Sequence, residues 1–152
     1  YINHKNMMNR ASGWMFPAAA LFFFCLFRFV FFWGFVPTQS MEPTIPAGSF
    51  ILGTRLYGKL EVGDIIVFEK DGQYLVKRIV GCPGDSIELK EVIFMDSTIP
   101  PERGVDCLII PQECYYVLGD NVQNSIDSRY WDSPFITRNS IIAVILNCTR
   151  LK

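Results

Sequence analysis

Polar residues nearly vanish between Trp14 and Val36, where the chain reads WMFPAAALFFFCLFRFVFFWGFV. As a helix rising 1.5 Å per residue, such a run spans roughly 30 Å of hydrocarbon. It predicts a transmembrane helix over 14–36, with Trp14 and Trp33 near the two membrane interfaces. Arg28 is the one charge inside it, at a cost of about 2.5–3.5 kcal/mol at mid-helix. Lying about two turns from the C-terminal end, its guanidinium can snorkel outward; a partner or ligand contact is the functional alternative. Lys5 and Arg10 precede the run, which places a short tail, 1–13, in the cytoplasm and everything after residue 36 outside. A cleaved leader fits less well, because its apolar core is typically about 7–15 residues and ends at a small-x-small site. Val36-Pro37-Thr38-Gln39 is a poor site of that kind, while Tyr1 is not an initiator, which leaves open a true N-terminus before Tyr1 or a start at Met7 or Met8.

Beyond residue 36 the pattern changes to short β-type runs separated by Gly and Pro turns. Strands are predicted near Phe50–Leu56, Asp64–Glu69, Tyr74–Val80, Ser86–Leu89, Tyr115–Leu118 and Ile141–Leu146. The turns are Pro46-Ala47-Gly48, Gly58, Asp71-Gly72, Pro83-Gly84-Asp85 and Pro100-Pro101. Only Asn121–Arg129 has room for a helical turn. Residues 37–152 therefore read as one mainly β domain, a small, twisted, partly closed antiparallel barrel-like unit.

Composition narrows the chemistry. With 152 residues there is room for one modest domain, and a net charge of -1 points away from nucleic acid as a partner. His4 is the single histidine and lies before the apolar run. A Ser-His-Asp or Cys-His mechanism needs an imidazole beside the nucleophile, so a hydrolase built on this chain must use another base. Histidine-based zinc sites fall on the same ground, and no C-x-x-C pair occurs, so no metal or cofactor is expected. Of the five cysteines, Cys25 lies in the apolar run as an ordinary buried thiol; Cys82, Cys107, Cys114 and Cys148 could pair in an oxidising compartment, Cys107 with Cys114 first.

Four segments could carry chemistry. Ser40 stands among Pro37, Pro43 and Pro46, which stiffen the chain and bar a helix through it; serine is equally a common turn residue. Gly63–Phe68 reads as a turn entering a core strand. In Tyr74–Val80, alternation puts Lys77 on the face of Leu75 and Ile79. Apolar neighbours desolvate the ammonium, lower its pKa and favour a neutral amine able to accept a serine proton. The plain alternative is an edge-strand lysine kept for solubility. Gly119–Trp131 is a dense polar run that is either a capped loop or a source of hydroxyls and an ion pair between Asp127 and Arg129.

Taken together, these segments resemble the signal peptidase I family of membrane-bound Ser-Lys peptidases. Ser-Met-Glu-Pro-Thr at 40–44 resembles its nucleophile motif, and Gly63–Phe68, Val76–Asp85 and Gly119–Arg129 resemble its later motifs in the same order. The resemblance implies Ser40 as acylated nucleophile and Lys77 as general base. It implies an oxyanion hole from the Ser40 N–H and the Thr38 hydroxyl, and Ser125 orienting the Lys77 amine. Asp127 and Arg129 would hold the loop with Asp120 in support. Val36, Met41, Ile45, Val67 and Val76 match positions lining shallow pockets for small residues, although alternation sets Val76 opposite Lys77. Val122 stands where the family usually has Arg, and the short stretch before Gly119 implies a reduced cap domain. The implied activity is removal of signal peptides from preproteins after Ala-x-Ala, at the outer face of the cytoplasmic membrane. With Ser40 four residues beyond Val36, substrate and nucleophile would meet at the bilayer surface, where tethering raises effective concentration. A conjugation or pilin-processing relative, a self-cleaving LexA-like regulator and a catalytically silent membrane-bound module are the competing readings; a regulator would need a DNA-binding domain and no membrane anchor.

Overall fold

The computed structural model describes the backbone of residues 5–88 and 107–150 and the side chains of 15–88 and 107–147. His4, Leu89 and the Pro100-Pro101 turn lie outside the described residues, as do the side chains of Lys5, Arg10, Trp14 and Cys148.

The apolar run is divided. A helix, α1, covers Lys5–Val30, and the chain then continues as strand β1, Phe31–Val36. The helix expected over 14–36 is thus corrected in its last six residues, and the apolar part that remains helical is shorter than the roughly 20 residues a span requires. Among the described residues, no helix is long and apolar enough to cross a membrane. The reason for the switch is local. Phe31-Phe32-Trp33-Gly34-Phe35-Val36 is aromatic and β-branched apart from its glycine, a composition that suits a pleated surface. It also finds a partner, pairing antiparallel with β2, Ser49–Thr54, from Phe31↔Thr54 to Val36↔Ser49.

The remaining strands are β3, Ile65–Lys70, β4, Gln73–Gly81, β5, Ser86–Glu88, β6, Cys107–Ile109, β7, Cys114–Leu118, β8, Phe135–Thr137, and β9, Ile141–Arg150. Seven of them form an antiparallel sheet in the order β1-β2-β9-β3-β4-β7-β8, and β5 pairs with β6 in a separate ribbon. Among the described residues the sheet is open, with β1 and β8 at opposite edges, and it shows no barrel-like closure of the kind expected from the sequence. All six predicted strands have counterparts; β1, β6 and β8 were not foreseen. The helical turn anticipated in Asn121–Arg129 is a short 3-10 turn at Val122–Asn124.

The sheet buries both faces. On one, Leu60, Ile66, Phe68, Ile79, Tyr115, Val117, Ile136 and Ile141 pack together. On the other, Val36, Met41, Ile45, Ile51, Val67 and Ala143 do so. Consecutive β3 residues alternate between the two, and this central strand is therefore apolar without interruption from Ile65 to Phe68. Cys82, Cys107 and Cys114 are free thiols, which corrects the expected Cys107–Cys114 pairing. Cys107 instead meets the Ser86 hydroxyl across the β5–β6 ribbon, and Cys25 is exposed on the helix rather than buried.

Ser49 begins β2 fully buried, and its hydroxyl has no hydrogen-bond partner among the described residues. An orphaned buried hydroxyl carries its desolvation cost uncompensated. Ser49→Ala is expected to raise unfolding free energy by about 1 kcal/mol, read from urea unfolding. A loss of stability would show that the hydroxyl has a partner.

Candidate active site

The loop between β1 and β2 carries Ser40. It is tied down from within: the Gly48 N–H donates to Val36 O at 2.8 Å, Ile45 N–H to Met41 O at 2.8 Å and Glu42 N–H to Gln39 O at 3.1 Å. The side chains of Met41 and Ile45 anchor it in the second apolar cluster. Ser40 is buried, and the Thr38 and Ser40 hydroxyl oxygens are 3.4 Å apart. The Ser40 N–H donates to no acceptor among the described residues.

Lys77 sits on β4, whose inward residues are Lys77, Ile79 and Gly81. Its cross-strand neighbour is Ile66, and it is only 3% exposed. Among the described residues its amine has neither a hydrogen bond nor an ion pair. Burial pushes the Lys77 pKa down, helped by the Arg129 cation and opposed by the Asp127 and Asp120 carboxylates.

Strand pairing brings the two halves together. β4 and β7 pair through Arg78↔Leu118 and Ile79↔Val117. Continued by one residue, that register sets Lys77 level with Gly119. A side chain at 119 would have its Cβ 2.1 Å from Ser125 Oγ and 2.5 Å from Ser40 O. Only glycine lets the three elements meet, and the Ser40 peptide, Ser125 and the Lys77 strand converge there.

The 119–129 loop is organised by Asp127, which is fully buried. Its carboxylate accepts from Arg129 Nε at 2.8 Å and Nη2 at 2.9 Å, from the Gly119 N–H at 2.9 Å and from Ser125 Oγ at 2.6 Å. Ser125 therefore donates to Asp127 and makes no hydrogen bond to Lys77 here; what it retains toward an amine is acceptor capacity. Arg129 Nη2 also donates to Val122 O at 3.2 Å.

A second ion pair braces the outside. Arg78 grips Asp120 through Nε at 2.8 Å and Nη2 at 2.6 Å. It also donates to Gly63 O at 2.8 Å and reaches Thr44 Oγ1 at 3.4 Å, linking β4 to the nucleophile loop. Burial works to raise the Asp120 pKa, but hydrogen bonds from Arg78 and Thr44 and the nearby Arg78 and Lys77 charges outweigh it and hold it low.

Of the five candidate pocket residues, Val36, Met41, Ile45 and Val67 belong to one buried cluster, and the half-buried Val76 packs on it across from Val67. Alternation does set Val76 on the face opposite Lys77, yet that face is the one where the other four gather. Among the described residues no group of three or more His, Cys, Asp or Glu side chains could hold a metal ion. Sequence reasoning passed over Gly119, Arg78, Thr44 and Asn121. Gly119 and Asn121 flank Asp120 in a run that had been singled out; Arg78, charged beside Lys77 in an otherwise apolar strand, was the clearest missed signal.

The amino-acid sequence is similar to those of known proteins. Residues 8–98 and 91–148 match the family described as signal peptidase, peptidase S26, and the chain belongs to that family. The signal peptidase I U of Bacillus subtilis is 35% identical over 135 residues, 73% of this chain and 71% of its own length. A probable signal peptidase I-2 of Synechocystis sp. is 28% identical over 71% of this chain, and the match spans 58% of that protein. Among solved structures, a signal peptidase I of Enterococcus faecalis V583 has a TM-score of 0.44 at 24% identity, covering 60% of this chain and 100% of the other.

Removing one partner of a buried ion pair leaves an uncompensated charge, typically at a cost of about 3–5 kcal/mol. Asp127→Ala is expected to cost about that much in denaturant unfolding. Asp127→Ala combined with Arg129→Met should cost less than the sum of the two single changes.

Proposed function

We propose that this chain is a membrane-associated serine endopeptidase that removes signal peptides from preproteins, cutting after small residues of the Ala-x-Ala type. The observation that carries the reading is the buried, unpaired Lys77 amine on an apolar strand face, level with the glycine against which Ser40 and Ser125 pack. An amine so desolvated is held toward its neutral, basic form. It would take the proton from Ser40 Oγ as that oxygen attacks the scissile carbonyl carbon. Charge developing on the carbonyl oxygen would be met by the uncommitted Ser40 N–H and the Thr38 hydroxyl. The leaving amine would recover the proton from Lys77, and a water deprotonated by the same amine would release the acyl group from Ser40. Ser125, held by Asp127, would offer its oxygen to the Lys77 amine, and the Ser40–Lys77 contact would close when substrate displaces water.

In this reading the small residues before the cut would meet the apolar cluster of Val36, Met41, Ile45, Val67 and Val76. Membrane association is supported by the exposed apolar residues. Phe22, Phe23, Phe24, Phe27 and Phe29 on α1 stand out in solvent, and Trp33 and Phe35 continue the surface onto β1. Trp33 stacks on Phe50 with ring centroids 6.5 Å apart. In this reading lipid covers that surface, the N-terminus is cytoplasmic and the sheet domain faces the extracytoplasmic side.

The test is cleavage of a preprotein ending its leader in Ala-x-Ala by detergent-solubilised protein. Ser40→Ala and Lys77→Ala are each expected to lower kcat by about 10³-fold or more while circular dichroism stays unchanged. Wild type that never cuts would make a silent binding module the better reading. Because the base works deprotonated and burial lowers its pKa, kcat/KM should rise with pH through a midpoint below the lysine norm of about 10.4. A pH–rate profile with its acid limb centred at or above that value would exclude Lys77 as the base.

A further inference from the structure

The oxyanion donor in this reading is the N–H of the Gln39–Ser40 peptide. A peptide unit is a rigid plane, so whatever holds its carbonyl end also aims its N–H end. The Gln39 carbonyl is held by the Glu42 N–H at 3.1 Å within its own loop. It is also held from across the site by the Asn121 side-chain amide, whose Nδ2 donates to Gln39 O at 3.0 Å. The Asn121 backbone N–H donates to Ser40 O at 3.0 Å. One residue thus grips the carbonyls on both sides of the nucleophile's Cα. The amide's other end is engaged as well, because Asn124 Nδ2 donates to Asn121 Oδ1 at 3.4 Å, which turns the Asn121 nitrogen toward Gln39. A hydrogen bond accepted by a peptide carbonyl also polarises that peptide and strengthens its N–H as a donor.

We infer that Asn121 is a positioning residue for the oxyanion hole, aiming and polarising the Ser40 N–H through the Gln39 carbonyl. The inference rests on the peptidase reading above. Asn121 touches no reacting atom; its effect is confined to the transition state, where the oxyanion exists. The backbone bond to Ser40 O alone would staple the two loops whatever side chain stood at 121. The side-chain bond is therefore separable by substitution.

Asn121→Asp is nearly isosteric and keeps the backbone bond and the acceptor for Asn124, but it replaces the donor to Gln39 with an acceptor and adds a negative charge. With the full chain in detergent and a peptide substrate containing Ala-x-Ala, kcat is expected to fall about 10- to 30-fold, below the loss of a whole oxyanion donor, with KM nearly unchanged. Binding of a peptide aldehyde ending in Ala-x-Ala, whose adduct with Ser40 places an oxygen in the hole, should weaken by the same factor. Binding of the corresponding peptide amide should not change. Asn121→Ala, which brings no charge, should show the same split. Wild-type kcat in both variants would overturn the inference while leaving the peptidase reading intact. So would parallel weakening of amide and aldehyde binding, which marks general loosening of the loop. If wild type itself does not cleave, the peptidase reading falls and this inference falls with it.

Discussion

The close approach at Gly119 is the contact on which the rest of the site depends. Strand β7 ends there, level with Lys77, and the chain turns into a loop that must pass against both Ser40 and Ser125. A single added carbon would stand 2.1 Å from the Ser125 hydroxyl oxygen, inside any permitted contact. Three stretches far apart in sequence meet at a point where one of them has no side chain. Hydrogen bonds then hold the meeting: the Asn121 N–H to Ser40 O ties the two loops together, and the Gly119 N–H and Ser125, both donating to Asp127, fix the path of the second.

Charge at the site is arranged so that one group is left over. Asp127 is buried but takes a bidentate arginine, a backbone N–H and a serine hydroxyl, and Asp120 is held by Arg78 and Thr44. Both carboxylates spend their hydrogen-bonding capacity on other donors. Their fields still favour a charged lysine, but without direct pairing they do not offset the burial of its amine. A lysine paired directly with either acid would stay protonated and be useless as a base. The ion pairs brace the loops and keep the acids occupied, which leaves the amine to desolvation. Such an arrangement works against stability at neutral pH, a common feature of sites built for chemistry.

Most of the sheet was legible. β2, β3, β4 and β9 are runs of Ile, Val, Leu and Phe bounded by Gly, Pro or polar turns, and period-two alternation put Lys77 among apolar neighbours correctly. β1 was hidden because an aromatic strand directly following an apolar helix continues the same hydrophobic run; only its pairing with β2 separates the two. β6 and β8 have three residues each, too short for any periodicity to register. The open edges of the sheet were not predictable either, since closure depends on register and twist summed over seven strands. Arg78 and Asn121 escaped notice because their partners, Asp120 and the carbonyls of Gln39 and Ser40, are 42 or more residues away.

By itself, the sequence determined the candidate nucleophile and base, the absence of a usable imidazole, and the mainly β character of the chain beyond the apolar run. The last two follow from residue type and local period, and the choice of Ser40 and Lys77 from the resemblance of their motifs to those of a known family; none of these needs knowledge of the fold. Tertiary structure decided where the helix gives way to strand, that Ser125 serves Asp127 first, and that Val76 joins the other candidate pocket residues on the face away from Lys77. It also decided that a glycine makes the whole convergence possible. Those outcomes depend on which distant backbone atoms compete for the same few ångströms, and a linear pattern of side chains carries no record of that.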